Sequence, residues 1–493
     1  MSFQFPDDCL NEIFEYLEED KISLHSCLLV NRQWCRTSVR ILWRNVWNFK
    51  YSVPYSNRLR IEKAILSTLI ACLPEESKEL LHRSEISILP ITSKSPLFNY
   101  AAYCKVLSIC EIGRIIDNVH KSESPITSLS LKEGNYLVVR EIVKMFMDQI
   151  TSLKKLTYYF ITFVNAPNDL CFPEIKNYLS NLSELRCSSS IHSEFFYQLS
   201  QICHNLRSLT VEFVNDVSDE LKRLIFLQNN LINLNLLAYG GNNWKNIIPA
   251  LTKHSSTLKK IHLYSNNNDL SLSFITLFSN LQDIRFSFFG RTFGTHYFED
   301  FKHLQHVIFN ELKTLKFYFN CPKPEYIIKF LENNGKTIKE IYLKLNNNCL
   351  NLYIPKLCPN LRSLVVKFNS DELNTLITVF LSCKDLESIE IWCGKRFLNE
   401  KEVLEVIIKY SQKNFCKLKI NNDSPSELSP NDLETFFIGW KNRKTNKPFN
   451  LIINKNNYNG LEVNENNMRM IKKYENLGIV KKLETKEFCD EED

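Results

Sequence analysis

The sequence predicts an α/β solenoid: strand–helix repeats stacked into a curved parallel sheet, with a separate three-helix segment at the front. Three observations carry that expectation. A six-residue phrase (apolar, two variable, apolar, one variable, apolar) recurs along the chain. Its copies are nearly evenly spaced, and the stretches between them carry apolar residues at helical spacing.

The phrase occurs at Ile126–Leu131, Leu153–Tyr158, Leu182–Cys187, Leu206–Val211, Leu231–Leu236 and Leu258–Leu263. It continues at Leu281–Phe286, Leu312–Phe317, Ile338–Leu343, Leu361–Val366, Leu386–Ile391 and Phe415–Ile420. With 44% apolar residues such a phrase also arises by chance, so the spacing is the argument. Successive copies begin 23 to 31 residues apart, close to the roughly 20–29 of leucine-rich repeats. Each copy is expected to be a short strand. A weaker unit at Cys104, Leu107 and Ile109 and a strand at Phe449–Ile453 extend the array at its two ends.

The intervening segments read as helices. After Val211, Ser218 precedes Leu221, Leu224 and Ile225; after Val366, Ser370 precedes Leu373, Leu376 and Ile377; after Ile391, Asn399 precedes Val403, Leu404 and Ile407. Each is a capping residue followed by apolar positions on one helical face. After Phe317, Pro324 sits where a first helical turn tolerates proline, ahead of Ile327, Ile328 and Leu331.

Composition narrows the function classes. The 493 residues carry 61 basic and 55 acidic side chains, a net charge of +6, too small to argue for nucleic-acid binding alone. Sixteen cysteines are scattered through apolar stretches, no apolar run reaches membrane-spanning length, and Asp7 and Asp8 ahead of any basic residue lead to no expectation of a secretory leader. The expected setting is the cytoplasm, the nucleus or both, with reduced cysteines acting as small buried hydrophobes and no membrane partner. No catalytic site, metal site or cofactor is expected. There is no Cys-x-x-Cys pair; His303 and His306 lack nearby cysteine partners; Gly240-Gly241 lacks the lysine of a phosphate-binding loop and reads as a turn. Adjacent Cys203 and His204 would point apart.

The first fifty residues break the repeat. Pro6, Asp7 and Asp8 begin a helix with Leu10, Ile13, Phe14 and Leu17 on one face. A second helical stretch carries Leu24, Cys27, Leu28, Leu29 and Val30, followed by Trp34, Val39, Leu42 and Trp43. Such a bundle is small for independent stability. It is either a helical cap or a docking module that completes its burial against a partner.

The run Phe5-Pro6-x-x-Cys9-Leu10-x-x-Ile13-Phe14-x-Tyr16-Leu17, then Ser23-Leu24-x-x-Cys27-Leu28-Leu29-Val30-Asn31-Arg32-x-Trp34, then Leu42-Trp43, resembles the F-box. It departs from that pattern at Phe5, where the family has leucine, at Cys9, where it has an aliphatic residue, and at Asn31, where it has cysteine. With the repeats behind it, the chain resembles the F-box/leucine-rich-repeat proteins of fungal type. The resemblance implies a non-enzymatic substrate-recognition adaptor of a Skp1–cullin–F-box ubiquitin ligase. The F-box would bind Skp1, and through it the cullin and RING subunit, while the repeats hold the substrate protein. It implies a Skp1-facing set of Pro6, Leu10, Ile13, Leu17, Leu28, Val30 and Trp34. Ile13, Leu17 and Leu28 could equally form the bundle's own core, and Pro6 and Trp34 a turn and a core filler. The organisation expected on this basis is an F-box over 1–48, a helical linker or cap over 49–100, irregular repeats over 101–455 and a C-terminal cap with an acidic tail over 456–493. Two alternatives stay open: an F-box scaffold working outside the ligase, and a repeat protein binding nucleic acid, which the modest net charge disfavours.

Strand side chains alternate faces, so the third and fifth letters of each phrase, and the residue after the sixth, should line the sheet's outward face. In the later repeats these positions supply Tyr264, Arg285, Lys316, Tyr318, Tyr342, Lys344, Lys367 and Trp392. This aromatic and basic strip is expected either to bind an acidic or phosphorylated segment of a substrate or to be an ordinary solvated face. Asp283 and Glu340 interrupt it.

Overall fold

The computed structural model describes residues 6–49, 55–84, 96–123, 129–159, 177–214, 216–239, 244–266, 270–289, 298–443, 447–455, 464–481 and 483–487. Phe5, the Gly240-Gly241 turn and the acidic run Cys489–Asp493 lie outside them. The chain divides into two compact units, residues 1–237 with 246–253, and residues 238–245 with 254–493.

The first unit opens with three helices, α1 (Asp7–Glu15), α2 (Lys21–Cys27) and α3 (Arg32–Leu42). Pro6 precedes α1, whose first turn carries Asp7 and Asp8 beside the helix's free N–H groups. Asp20 and Asn31 cap the other two, accepting from the Ser23 and Trp34 amides. Among the described residues five strands follow in sheet order, β1 (Val106–Ser108), β2 (Lys155–Tyr158), β3 (Glu184–Ser188), β4 (Ser208–Phe213) and β5 (Asn233–Ala238), and β1 to β4 pair in parallel. The front helices are tied to this sheet. Trp47 Nε1 donates to the Val106 carbonyl at 2.6 Å, and the Lys105 amide to the Arg44 carbonyl at 2.9 Å.

The second unit holds nine strands in chain order: β6 (Lys260–Ser265), β7 (Asp283–Phe288), β8 (Thr314–Phe317), β9 (Glu340–Asn346), β10 (Ser363–Lys367), β11 (Ser388–Cys393), β12 (Lys417–Asn422), β13 (Asn450–Lys455) and β14 (Glu484–Glu487). Every pairing described between neighbours is parallel. The fold is α/β, with the architecture of a leucine-rich-repeat solenoid. No helix among the described residues is long and apolar enough to cross a membrane.

From Leu153 onward each strand begins at the third letter of the sequence phrase rather than the first. The first letter turns inward just before the strand: Leu206, Leu258, Leu312 and Phe415 are fully buried, as are the fourth and sixth letters. One side chain packs under the turn and two under the strand, and the next repeat covers them. A lone repeat therefore leaves its apolar face wet, while stacking completes it.

Several sequence expectations need correction. The segment expected to be the strand Ile126–Leu131 is not one: residues 126–128 lie outside the described positions, and Leu129 begins a helix running to Gln149. Its buried Val138, Val139, Ile142, Val143 and Phe146 recur at helical spacing, which outweighs the chance match to the phrase. The weaker unit around Leu107 is the real first strand. The helix after β10 starts at Leu373, behind Glu372, the last residue of the stretch Ser370-Asp371-Glu372, and no side chain of that stretch caps it. The Glu372 carboxylate accepts from the Asn369 amide at 2.7 Å and from Asn351 Nδ2 at 3.1 Å, so it holds the loop instead of capping the helix. Ser218, Asn399 and Pro324 do open their helices.

Between β6 and β8 the described connecting residues form short 3₁₀ turns, Ser273–Leu277, where a helix was expected, and Glu299–His303, in the long gap around Phe288–Glu311 whose length suggests an inserted loop. Ser271-Leu272-Ser273-Phe274-Ile275-Thr276 offers little helix propensity and no helical stripe. Aromatic bulk fills the space. Phe286, Phe288, Phe298, Phe301 and Phe317 pack ring to ring at centroid distances of 4.9–6.1 Å. The C-terminal helix Glu465–Asn476, capped by Asn464, buries Ile471 and Tyr474.

Candidate docking surfaces

On the front helices, Leu10, Phe14, Leu24, Cys27 and Ile41 make a small buried core, with Leu17, Trp34 and Leu42 packed against it from its rim. Phe14 and Trp34 meet edge to face at 5.1 Å. Arg44 clamps Glu15 with two bonds of 2.5 and 2.6 Å, so the end of α1 is held to the segment after α3. The Arg44 hydrogen bond keeps the Glu15 carboxyl below its ordinary range.

The sequence-derived set divides over this bundle. Ile13 and Val30 are exposed, at 48% and 57%, and Pro6 is exposed too. Leu17, Leu28 and Trp34 are half-buried. Leu10, expected on the docking face, is 1% exposed and belongs to the core: with Phe14 it is the side of α1 that faces α2 and α3. Three residues outside that set join the exposed apolar surface: Tyr16 at 89%, Leu29 at 81% and Ile22. A signal for one of them, Leu29, lay in the run Leu28-Leu29-Val30. Three consecutive apolar residues at a helix end cannot all turn toward one core.

The strip in the second unit sits on the outward strand positions, in cross-strand register. His262 pairs with Arg285, Arg285 with Lys316, Lys316 with Tyr342, Tyr342 with Val365, Val365 with Glu390, and Glu390 with Lys419. Several of its charges are already neutralised. Arg285 donates twice to Asp283, at 2.9 and 2.7 Å, Lys316 lies 3.2 Å from Glu340, and Lys419 lies 3.3 Å from Glu390. The bond to Asp283 keeps Arg285 firmly protonated. Tyr342 and Trp392 are buried, and Tyr318 and Tyr264 are half-buried. Lys344 lies over the Tyr342 ring at 5.3 Å and Lys367 over the Trp392 ring at 5.0 Å. The strip is thus a partly neutralised, partly sealed face, with Asp283 and Glu340 among the groups that neutralise it.

The residues considered for chemistry do not assemble. His303 and His306 are both exposed, and His303 pairs with Asp300 at 3.5 Å. Cys203 is buried, its Sγ directed at the Leu182 carbonyl, and burial pushes its thiol up to about 12. Among the described residues no group of three or more His, Cys, Asp and Glu side chains could hold a metal ion. An open polar groove of about 560 Å³ runs past Lys313, Lys339, Arg362 and Asp385. Arg362 there stands 3.6 Å from Glu387.

No protein-family model matches the chain, and no curated protein matches it in sequence. Among solved structures it is similar to the yeast complex of Rad7 and Elc1, at 12% identity over 92% of this chain and 87% of that one, with a TM-score of 0.35. It is also similar to a leucine-rich-repeat protein of Leptospira interrogans, at 17% identity over 64% of this chain and 70% of that one, with a TM-score of 0.32.

Proposed function

We propose that this chain is a non-catalytic adaptor. Its front helices dock Skp1, and the outward strand face of its second unit holds a substrate protein for a Skp1–cullin–F-box ubiquitin ligase. The observation that carries the reading is the solvent-exposed apolar surface of Ile13, Tyr16, Ile22, Leu29 and Val30 on a bundle whose own core is already filled. Apolar side chains left in water beside a completed core favour a partner that covers them, at about 1.5–3 kcal/mol for each one fully buried. A few such anchors dominate an interface. The F-box resemblance supplies the identity of the partner, and the repeat architecture behind it supplies a long surface for cargo.

The test is affinity capture of the full chain beside an Ile13→Asp/Val30→Asp variant, whose changes fall on exposed positions and spare the core. Skp1 and a cullin retained by the wild type and lost by the variant support the adaptor. Skp1 retained without a cullin would assign the chain to a scaffold outside the ligase, and equal capture by both proteins would sink the docking face.

A further inference from the structure

The outward face of the second unit contains a core of its own. Tyr342, Val365, Trp392 and Phe397 are all buried there, with Tyr318 packed against them. The cover comes from the loop after β11. Gly394 takes a φ of 127°, the Phe397 amide donates to the Gly394 carbonyl at 3.0 Å, and an isolated bridge joins Phe397 to Asn369. A Cβ at position 394 would lie 2.6 Å from Ser424 Oγ, so this turn admits glycine alone. Arg396 of the same loop is fixed by Asp423, one bond measuring 2.9 Å, and its guanidinium lies 5.6 Å from the Phe397 ring. The result is a rigid aromatic platform where an open strand face was expected.

Four cations on this face answer to carboxylates: Arg285 to Asp283, Lys316 to Glu340, Lys419 to Glu390 and Arg396 to Asp423. Lys367 departs from the pattern. Its half-buried ammonium rests over Trp392, and among the described residues no salt bridge joins it to a carboxylate. Burial, then the positive charges of Lys344 and Arg396, pull its pKa down. The protein holds a charge in a half-buried place beside two other cations, with the face of the indole as its partner.

We propose that Lys367, held on the Trp392 ring, is a recognition subsite for the carboxylate of an aspartate or glutamate on an extended acidic segment of the partner protein. This deepens the substrate-holding half of the adaptor reading and rests on it. Charge complementarity selects the occupant. Four cations on this face each take one carboxylate, and one monoanion would complete Lys367 in the same way, adding to the distant pull of Asp423 and offsetting its lost hydration. The aromatic platform beside it offers the apolar contact that an extended chain presents next to its charge.

The test uses the full-length protein and degenerate peptide libraries that differ only in a fixed central glutamate, glutamine or phosphoserine, with retention measured at low and moderate salt. Retention of the glutamate library should exceed that of the glutamine library roughly tenfold, the worth of one charge-assisted hydrogen bond. Lys367→Met should bring that ratio close to one, Lys367→Arg should keep it, and both variants should capture Skp1 as the wild type does. Lys367→Met should melt close to wild type, because the lost contact of the ammonium with the indole and the removed repulsion from Lys344 and Arg396 oppose each other. Equal retention of the glutamate and glutamine libraries, or a preference that survives Lys367→Met, would overturn the subsite. Stronger retention of the phosphoserine library than of the glutamate library would overturn its assignment to carboxylates. Loss of Skp1 capture alone, with the glutamate preference intact, would count against the adaptor reading and leave the subsite standing.

Discussion

Replacing Asn334 with leucine should destabilise the second unit by about 3 kcal/mol, although the change conserves size and touches no surface. Asn334 ends the helix Pro324–Asn334 and is 2% exposed. Its Oδ1 accepts from the Phe309 amide at 2.7 Å, and its Nδ2 donates to the carbonyls of Val307 at 2.8 Å and Phe330 at 3.0 Å. Phe309 and Val307 belong to the irregular segment ahead of β8, which lacks a ladder partner of its own there, so one side-chain amide stands in for missing secondary structure. Leucine would orphan an N–H and a C=O, at about 1–3 kcal/mol each, partly offset by its apolar burial. Urea unfolding followed by circular dichroism should show a lower midpoint with an unchanged slope. Asn333→Leu is the control. That neighbour is exposed, and its bonds to Gln305 and Lys329 are long, at 3.4 and 3.3 Å, so the change should stay within about 0.5 kcal/mol. Equal midpoints for Asn334→Leu and wild type would refute the reasoning, because the buried amide would then be a passenger. Gln228 plays the same part in the first unit, accepting from the Leu206 amide and donating to the Cys203 and Leu224 carbonyls.

Two further expectations concern the second unit. Burial, helped by Arg285, lowers the pKa of His262 from 6.5 to about 4. The unfolded chain therefore takes up that proton first. The contribution is complete above about pH 6.5 and is lost as pH falls toward 4, amounting to up to about 3 kcal/mol. His262→Gln should flatten the fall in urea midpoint across that window, and an unchanged slope would show that other groups cause it. Gly335 has an ordinary helical φ of −60°, yet an added Cβ would sit 2.5 Å from the Leu357 carbonyl oxygen and 2.6 Å from that of Leu331. Gly335→Ala should cost about 1–3 kcal/mol by forcing the two helices apart, and a thermal melt matching wild type would contradict that packing.

The repeat was legible because it depends on burial, which leaves a period in the sequence. Leu206, Leu209 and Val211 are apolar for the same reason as Leu312, Leu315 and Phe317, and no long-range knowledge is needed to see it. The misread strand at 126–131 shows the limit: three apolar letters also fit a helix, and the buried run Val138–Phe146 decided the segment. On the front helices the sequence could mark apolar residues but not divide them between core and surface. Leu10 and Ile13 look alike on a helical wheel, and only the positions of α2 and α3 bury one and expose the other. The strip was the least legible. Its cations were visible, but pairing with Asp283, Glu340 and Glu390 depends on strand register. The cover supplied by Phe397 depends on a loop bent by Gly394, a contact between positions that no periodicity links.

The most direct measurement is calorimetric titration of purified Skp1 into the full-length chain and into single variants of its front helices. Saturable binding to wild type is expected, with Ile13→Asp and Val30→Asp each losing about 2 kcal/mol or more, as central apolar anchors do, and Lys367→Met losing nothing. Absence of heat with the wild-type chain, or equal affinity for the Ile13→Asp variant, would contradict the account.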